Sequence, residues 1–186
     1  FEYAISDGNG ETSTATVSVY VTDDSSETYQ GTQGDDLLYG TRMADSIEGL
    51  DGNDQIYGLD GDDILDGGDG RDILDGGPGG DTLEGGDGEA DTADYSSNPA
   101  GIMADIYYNS ADGGFFDGSI VEDGWGGEDQ IYNITRFIGS DYEDVFNVNI
   151  EDEAGTSELQ WFVWGVDGMD TISGTAGQDV FAMYTD

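Results

Sequence analysis

The chain has no cysteine and no histidine, and its only basic residues are Arg42, Arg71 and Arg136, so lysine is absent too. Without cysteine no disulfide can hold the fold and no thiol chemistry is available. Without histidine the commonest zinc ligand and the commonest general base are missing. There is no HExxH, no GxSxG and no phosphate loop with its lysine. Carboxylate pairs are so frequent that no single one marks an acid–base dyad. These absences predict a chain with no catalysis of its own. No apolar run is long enough to span a bilayer. Proline occurs only at Pro78 and Pro99, which argues against a stiff Pro-rich linker. The first residue is Phe1 and no signal peptide is visible, so the expectation is a piece of a longer protein.

What the chain does have is acid and glycine. Its 43 acidic residues against three basic ones give a formal net charge of −40, with 32 glycines among 186 residues. Self-repulsion on this scale opposes compaction and argues against binding nucleic acid or an anionic membrane surface. It favours cation binding or a salty medium.

From Gly31 to Asp91 the sequence aligns on itself with a period of nine. Gly31-Thr-Gln-Gly-Asp-Asp-Leu-Leu-Tyr39 is followed by units starting at Gly40, Gly49, Gly58, Gly67 and Gly76. A seventh, from Gly85, holds one extra residue before Asp91. Positions one, two and four are mostly glycine, which permits positive φ in a tight turn. Position six is Asp in every regular unit: Asp36, Asp45, Asp54, Asp63, Asp72 and Asp81. Position eight is aliphatic: Leu38, Ile47, Ile56, Leu65, Leu74 and Leu83. Each unit thus reads as a turn, an acidic anchor and a strand of about three residues with one inward side chain. One such strand buries too little to fold alone, whereas stacked units build a continuous aliphatic ladder. Coils of a parallel solenoid stack about 4.8 Å apart, so carboxylates in one column repel strongly. A hard cation reverses that sign, and turn carbonyls with carboxylates are the oxygen ligands calcium takes.

Units such as Gly67-Gly-Asp-Gly-Arg-Asp72 and Gly49-Leu-Asp-Gly-Asn-Asp54 resemble the RTX (repeats-in-toxin) calcium-binding nonapeptide family. The resemblance implies an all-β, right-handed parallel β-roll in which two nonapeptides make one coil. It implies calcium between turns two units apart. Asp36, Asp54 and Asp72 would then share one column, and Asp45, Asp63 and Asp81 the other, with Asp91 at the end of the block. Asp51, Asp60, Asp69 and Asp87, at position three, are secondary ligand candidates. The second unit departs from the pattern, reading Thr41-Arg42-Met43-Ala44 without the fourth-position glycine, which sets the Asp45 site apart.

The flanks read differently. In residues 1–22 Phe1, Tyr3 and Ile5 alternate with polar neighbours, a Ser6-Asp-Gly-Asn-Gly10 turn follows, and Ala15, Val17, Val19 and Val21 alternate again. This is a hairpin signature. It resembles the last two strands of cadherin-like or immunoglobulin-like bacterial repeats. Residues 23–30 read as a linker, or equally as a strand that starts the roll with Tyr29 over its first rung. Residues 31–95 are the roll. Residues 96–138 read as a capping insert whose Asp129–Gly139 stretch resembles the family's segment for re-entering the roll. Residues 139–186 read as a second, shorter RTX-like block. There Asp144, Asp170 and Asp179 take position six and Phe146, Ile172 and Phe181 position eight. This block is either separate or a continuation of the first stack. Trp125 and Trp161-Phe-Val-Trp164 read as cap core, with sugar stacking as the other option.

The resulting expectation is a calcium-binding RTX module of a secreted, extracellular or surface protein, an adhesin first, that folds on calcium after type I secretion. The tail of a secreted hydrolase and a self-assembling filament or surface-layer subunit are the alternatives. Calcium is the expected partner, with homo-assembly through the N-terminal hairpin and no nucleic acid or membrane insertion.

Overall fold

The computed structural model describes residues 2–6, 12–16, 26, 28–87, 90–109, 115–151, 161–164, 171–174 and 181–183, and all regular structure among them is β. β1 (Glu2–Ser6) and β2 (Thr12–Thr16) form an antiparallel hairpin with Tyr3 opposite Ala15. Among the described residues this hairpin pairs with no other strand. The expected continuation through Val17, Val19 and Val21 lies outside the described residues.

The roll begins at β3 (Thr28–Gln30), inside the stretch that reads equally as a linker or as a strand starting the roll, and the strand is what forms. Thr28–Gln30 pairs in parallel with the strand at Ser46–Glu48, and Tyr29, only 4% exposed, seals the first rung. An aromatic side chain with a rung to cover makes strand out of a polar sequence.

From there each nonapeptide contributes one short strand: β4 (Leu37–Tyr39), β5 (Ser46–Glu48), then β7 (Gln55–Tyr57), β8 (Ile64–Asp66), β10 (Ile73–Asp75), β11 (Thr82–Glu84) and β12 (Thr92–Asp94). The two-residue strands β6 (Asp51–Gly52) and β9 (Asp69–Gly70) pair with each other across the turns. Partners lie two units apart in sequence: Leu38 faces Ile56, which faces Leu74, while Ile47 faces Leu65, which faces Leu83. Two nonapeptides therefore make one coil, and alternate units build opposite sheets. Every eighth-position side chain from Leu38 to Leu83 is at most 1% exposed. Its neighbours at positions seven and nine are half-buried or exposed, as strand alternation requires.

The segment after β12 does not lie over an open end of the roll. β13 (Met103–Asn109) and β14 (Phe115–Glu122) form an antiparallel pair inserted within the nine-stranded sheet, between β15 (Asp129–Ile134) and β17 (Val145–Glu151). Ala104 and Ile106 are buried between the more exposed Met103, Asp105 and Tyr107, so this strand keeps the inward period of the roll and can join its sheet. The other sheet runs on through β16 (Arg136–Ile138), β18 (Trp161–Trp164) and β20 (Phe181–Met183), and the nine-stranded sheet ends at β19 (Thr171–Gly174). Strands from residues 139–186 thus extend the same two sheets as the first block.

Candidate metal centre

The sixth-position acids sit where each turn enters its strand, and all are buried. Asp36 and Asp45 are 4% exposed, and Asp54, Asp63, Asp72, Asp81 and Asp91 no more than 1%. They form two hydrogen-bonded columns. In one, the backbone N–H of Asp36 donates to Asp54 Oδ1 at 2.8 Å, that of Asp54 to Asp72 Oδ1 at 2.8 Å, and that of Asp72 to Asp91 Oδ1 at 3.0 Å. In the other, Asp45 donates to Asp63, Asp63 to Asp81 and Asp81 to Asp129, at 2.7, 2.8 and 2.9 Å. One oxygen each of Asp54, Asp63, Asp72, Asp81, Asp91 and Asp129 therefore ties successive coils together.

The second oxygen divides the turns into two kinds. In the turns of Asp54, Asp63, Asp72, Asp81 and Asp91, Oδ2 is buried and meets no protein donor. In the first two turns a hydroxyl closes the ring. Thr32 donates to Asp36 Oδ2 from N at 2.5 Å and Oγ1 at 2.9 Å, and Thr41 to Asp45 Oδ2 at 2.6 and 2.8 Å. Ser140 does the same for Asp144, from N to Oδ2 at 2.9 Å and from Oγ to Oδ1 at 2.7 Å. Asp36 Oδ1 also lacks a partner, standing at the start of its column.

Backbone conformation follows this division. The second residue of each open turn has positive φ: Leu50 82°, Leu59 77°, Gly68 95°, Gly77 88° and Gly86 93°. Among the described residues the other non-glycines with positive φ are Ala90 and Asn133, so Thr32, Thr41 and Ser140 lie outside that region. Leucine accepts left-handed backbone only at a cost of about 1–2 kcal/mol, so the open turn demands this geometry whatever residue fills it. The first-position glycine is required by close approach. A methyl group built on Gly49 would collide with Asp54 Oδ2 and the Gly67 carbonyl oxygen, and one on Gly58 with Asp63 Oδ2 and the Gly76 carbonyl oxygen. A partnerless carboxylate oxygen and a carbonyl of the next coil thus converge beside each of these glycines.

Burial pushes the carboxyls of Asp54, Asp63, Asp72 and Asp91 up to about 6 and that of Asp81 up to about 8. In each, hydrogen bonding from the preceding coil pulls the other way and neighbouring acids add to the rise. Such groups resist ionising until a cation compensates them.

Among the described residues no three acidic side chains gather at one point. Stacking separates the column acids by one coil, so each gap offers carboxylate oxygen together with turn carbonyls. That donor set fits calcium, which accepts mixed carboxylate and carbonyl oxygen at flexible geometry. The third-position acids Asp51, Asp60, Asp69 and Asp87 are exposed. Asp144 is buried, but its two oxygens are taken by Ser140 and by the N–H of Ile102. Asp170 and Asp179 lie outside the described residues.

Sequence reading left out one turn. Gly124-Trp-Gly-Gly-Glu-Asp129-Gln-Ile-Tyr132 has glycine at one and four, Asp at six and an aliphatic at eight. Its Asp129 and Ile131 are both 1% exposed or less and continue the second column and its ladder. The signal was present, hidden by the long separation from Gly85 and by tryptophan at position two.

Comparison with known proteins agrees with this geometry. The RTX calcium-binding nonapeptide repeat matches in four copies, at residues 21–42, 39–74, 66–89 and 164–182. No curated protein matches the chain. No helix among the described residues is long and apolar enough to cross a membrane. Residues 21–89 and 164–182 thus carry RTX calcium-binding nonapeptide repeats, and the described strands stack in the two parallel sheets of a β-roll.

Proposed function

We propose that the module is a calcium-gated folding unit of a secreted bacterial surface or matrix protein, an adhesin, exported unfolded by a type I route and without catalysis of its own. The observation that carries this reading is the row of buried, partnerless Oδ2 atoms on Asp54, Asp63, Asp72, Asp81 and Asp91. Bound calcium supplies the positive charge and the acceptor-matching coordination that these oxygens lack. The chain's own residues do the rest. The columned carboxylates hold the coils in register, the second-position left-handed residues aim turn carbonyls, and the eighth-position ladder buries apolar surface once the coils close. In the open turns the calcium ligands are the sixth-position acids. Thr41 and Ser140 close their turns with hydroxyls instead and make those rungs metal-independent, whereas Thr32 covers only Oδ2 of Asp36 and leaves its Oδ1 bare.

Without the cation, like charges stack along each column and the single aliphatic residue per unit does not offset the ordering of nine backbone residues. Binding and folding then become one event. Sites of extracellular modules work at about 10⁻⁴–10⁻³ M calcium, above cytosolic levels, which suits a chain kept open inside the cell and closed outside it. The unpartnered β1–β2 hairpin fits the end of a preceding cadherin-like sandwich, or pairing with a second copy.

The test is a calcium titration followed by circular dichroism and small-angle scattering. Compaction with a gain of β signal near millimolar calcium, cooperative in the ion and poorly reproduced by magnesium, is expected. A compact β-rich chain in excess chelator contradicts the proposal.

A further inference from the structure

The richest unexplained chemistry outside the nonapeptide columns is at Asn98 and Asp123. Asn98 follows β12 in the Tyr95–Ala100 loop, and Asp123 ends the inserted hairpin just before Gly124. Both are buried, at 4% and 1% exposed. They touch: Asn98 Nδ2 donates to the backbone carbonyl of Asp123 at 2.9 Å. The Asn98 N–H is held by the Tyr95 carbonyl at 3.0 Å. Asp123 Oδ1 accepts from the N–H groups of Trp125 at 2.8 Å and Gly126 at 3.0 Å. One acceptor on each residue then remains without a protein partner, Asn98 Oδ1 and Asp123 Oδ2, and both atoms are inaccessible to solvent.

A buried acceptor with no donor costs about 1–3 kcal/mol, and more when it is charged. A trapped water could donate to both oxygens, but it would bring no positive charge to a place where further acids stand close by. Asp123 and Asp75 both repel Asp129, whose Oδ2 is already taken by the Tyr95 hydroxyl at 2.9 Å. Asp81 and Asp123 both bear on the same tyrosine. A hard cation satisfies both oxygens and the charge at once; amide and carboxylate oxygens are ligands it prefers.

We infer that Asn98 Oδ1 and Asp123 Oδ2 form a calcium site outside the nonapeptide register. It ties the loop after β12 to the turn that re-enters the roll at Gly124. The acids of the repeat columns are not its ligands, and neither residue falls within the matched repeats.

The experiment compares the 186-residue chain with Asp123→Asn at saturating calcium. Asparagine keeps the acceptor for Trp125 and Gly126 and removes the charge. Two quantities are read: calcium bound per chain at dialysis equilibrium in saturating calcium, by atomic emission against the dialysate, and terbium luminescence excited through tryptophan. Trp125 lies two residues from Asp123, so it is the natural sensitiser. The expected result is one ion fewer in Asp123→Asn, with the dichroism of the roll kept. Sensitised terbium emission should fall in Asp123→Asn and also in Trp125→Phe, the latter with no change in bound calcium. An unchanged ion count in Asp123→Asn overturns the inference and leaves a buried water as the occupant. If Asp123→Asn does not fold, Asn98→Ala is read in the same way, and an unchanged count there overturns it equally. Calcium bound by the remaining turns is scored separately, so loss of this site is distinguishable from failure of the roll to bind calcium.

Discussion

The closed turns at Thr32–Asp36 and Thr41–Asp45 and the open turns from Leu50–Asp54 onward share one fold position and one acid, yet they satisfy that acid in different ways. A threonine gives its carboxylate two donors from within the same turn, its backbone N–H and its hydroxyl, at 2.5–2.9 Å. Leucine or glycine at the same position swings the backbone to positive φ and leaves Oδ2 bare. One residue per nonapeptide therefore decides whether Oδ2 meets a donor within its own turn. In this roll the hydroxyl-closed turns stand at the N-terminal start and again at Ser140–Asp144, with the turns of bare Oδ2 between.

The largest effect expected from a single substitution is at the column acids. Asp63→Ala or Asp72→Ala removes a bare oxygen and also strands the N–H of Asp45 or Asp54. A loss of about 2–3 kcal/mol should appear in denaturant titrations at saturating calcium, together with fewer bound ions. Asp45→Ala should also destabilise but leave the ion count unchanged, because Thr41 already occupies its oxygen. Glu48→Ala, at the rim with only an exposed bond from Gln30, should shift stability by no more than about 0.5 kcal/mol. Equal ion loss in Asp45→Ala and Asp63→Ala would break the distinction between the turns.

Acid should partly stand in for the metal. The open-turn carboxyls are raised from 3.8 to about 6, and Asp81 to about 8. A raised carboxyl means that the folded chain binds protons more tightly than the unfolded one. The stability this contributes is complete below pH about 4 and is lost as the pH rises through about 6, and through about 8 for Asp81. In chelator, β signal should therefore grow on going from pH 8 to pH 4, while in excess calcium it should hold at pH 8. A metal-free chain that loses structure on acidification over this range would contradict the assigned burial.

A smaller effect of opposite sign sharpens the same contrast. Leu59→Gly relieves a left-handed leucine that is 41% exposed and should stabilise the calcium form by up to about 1 kcal/mol. Thr41→Gly deletes two hydrogen-bonding roles at a residue without positive φ and should destabilise by about 1 kcal/mol. Thermal melts at saturating calcium measure both.

Much of this was legible in the sequence because the period is strict. Asp at position six and an aliphatic at position eight gave the columns, the ladder and the alternation of sheets. The resemblance added the two-unit coil that Leu38, Ile56 and Leu74 display. Other parts were not legible for physical reasons. Thr28–Gln30 is polar, so the sequence leaves linker and starting strand equally open, and only the burial of Tyr29 over the first rung decides for the strand. The β13–β14 pair joins the sheet through long-range pairing that no local pattern encodes. Asp129 carried the full signal, masked by tryptophan at position two. The difference between Thr32 and Leu50 reads as an ordinary substitution until the hydroxyl is seen on the carboxylate. Asn98 and Asp123 have no repeat to mark them, and only burial makes their bare oxygens visible.

The most direct measurement exchanges the two kinds of turn within one column and counts calcium. Thr32→Gly opens the first turn, and Leu50→Thr closes the turn stacked on it. Calcium bound at saturation is determined by calorimetry and by equilibrium dialysis with atomic emission, with dichroism checking that the roll is intact. The account predicts an ion gained in Thr32→Gly and an ion lost in Leu50→Thr. The same calcium content in both variants and in the parent chain would contradict it.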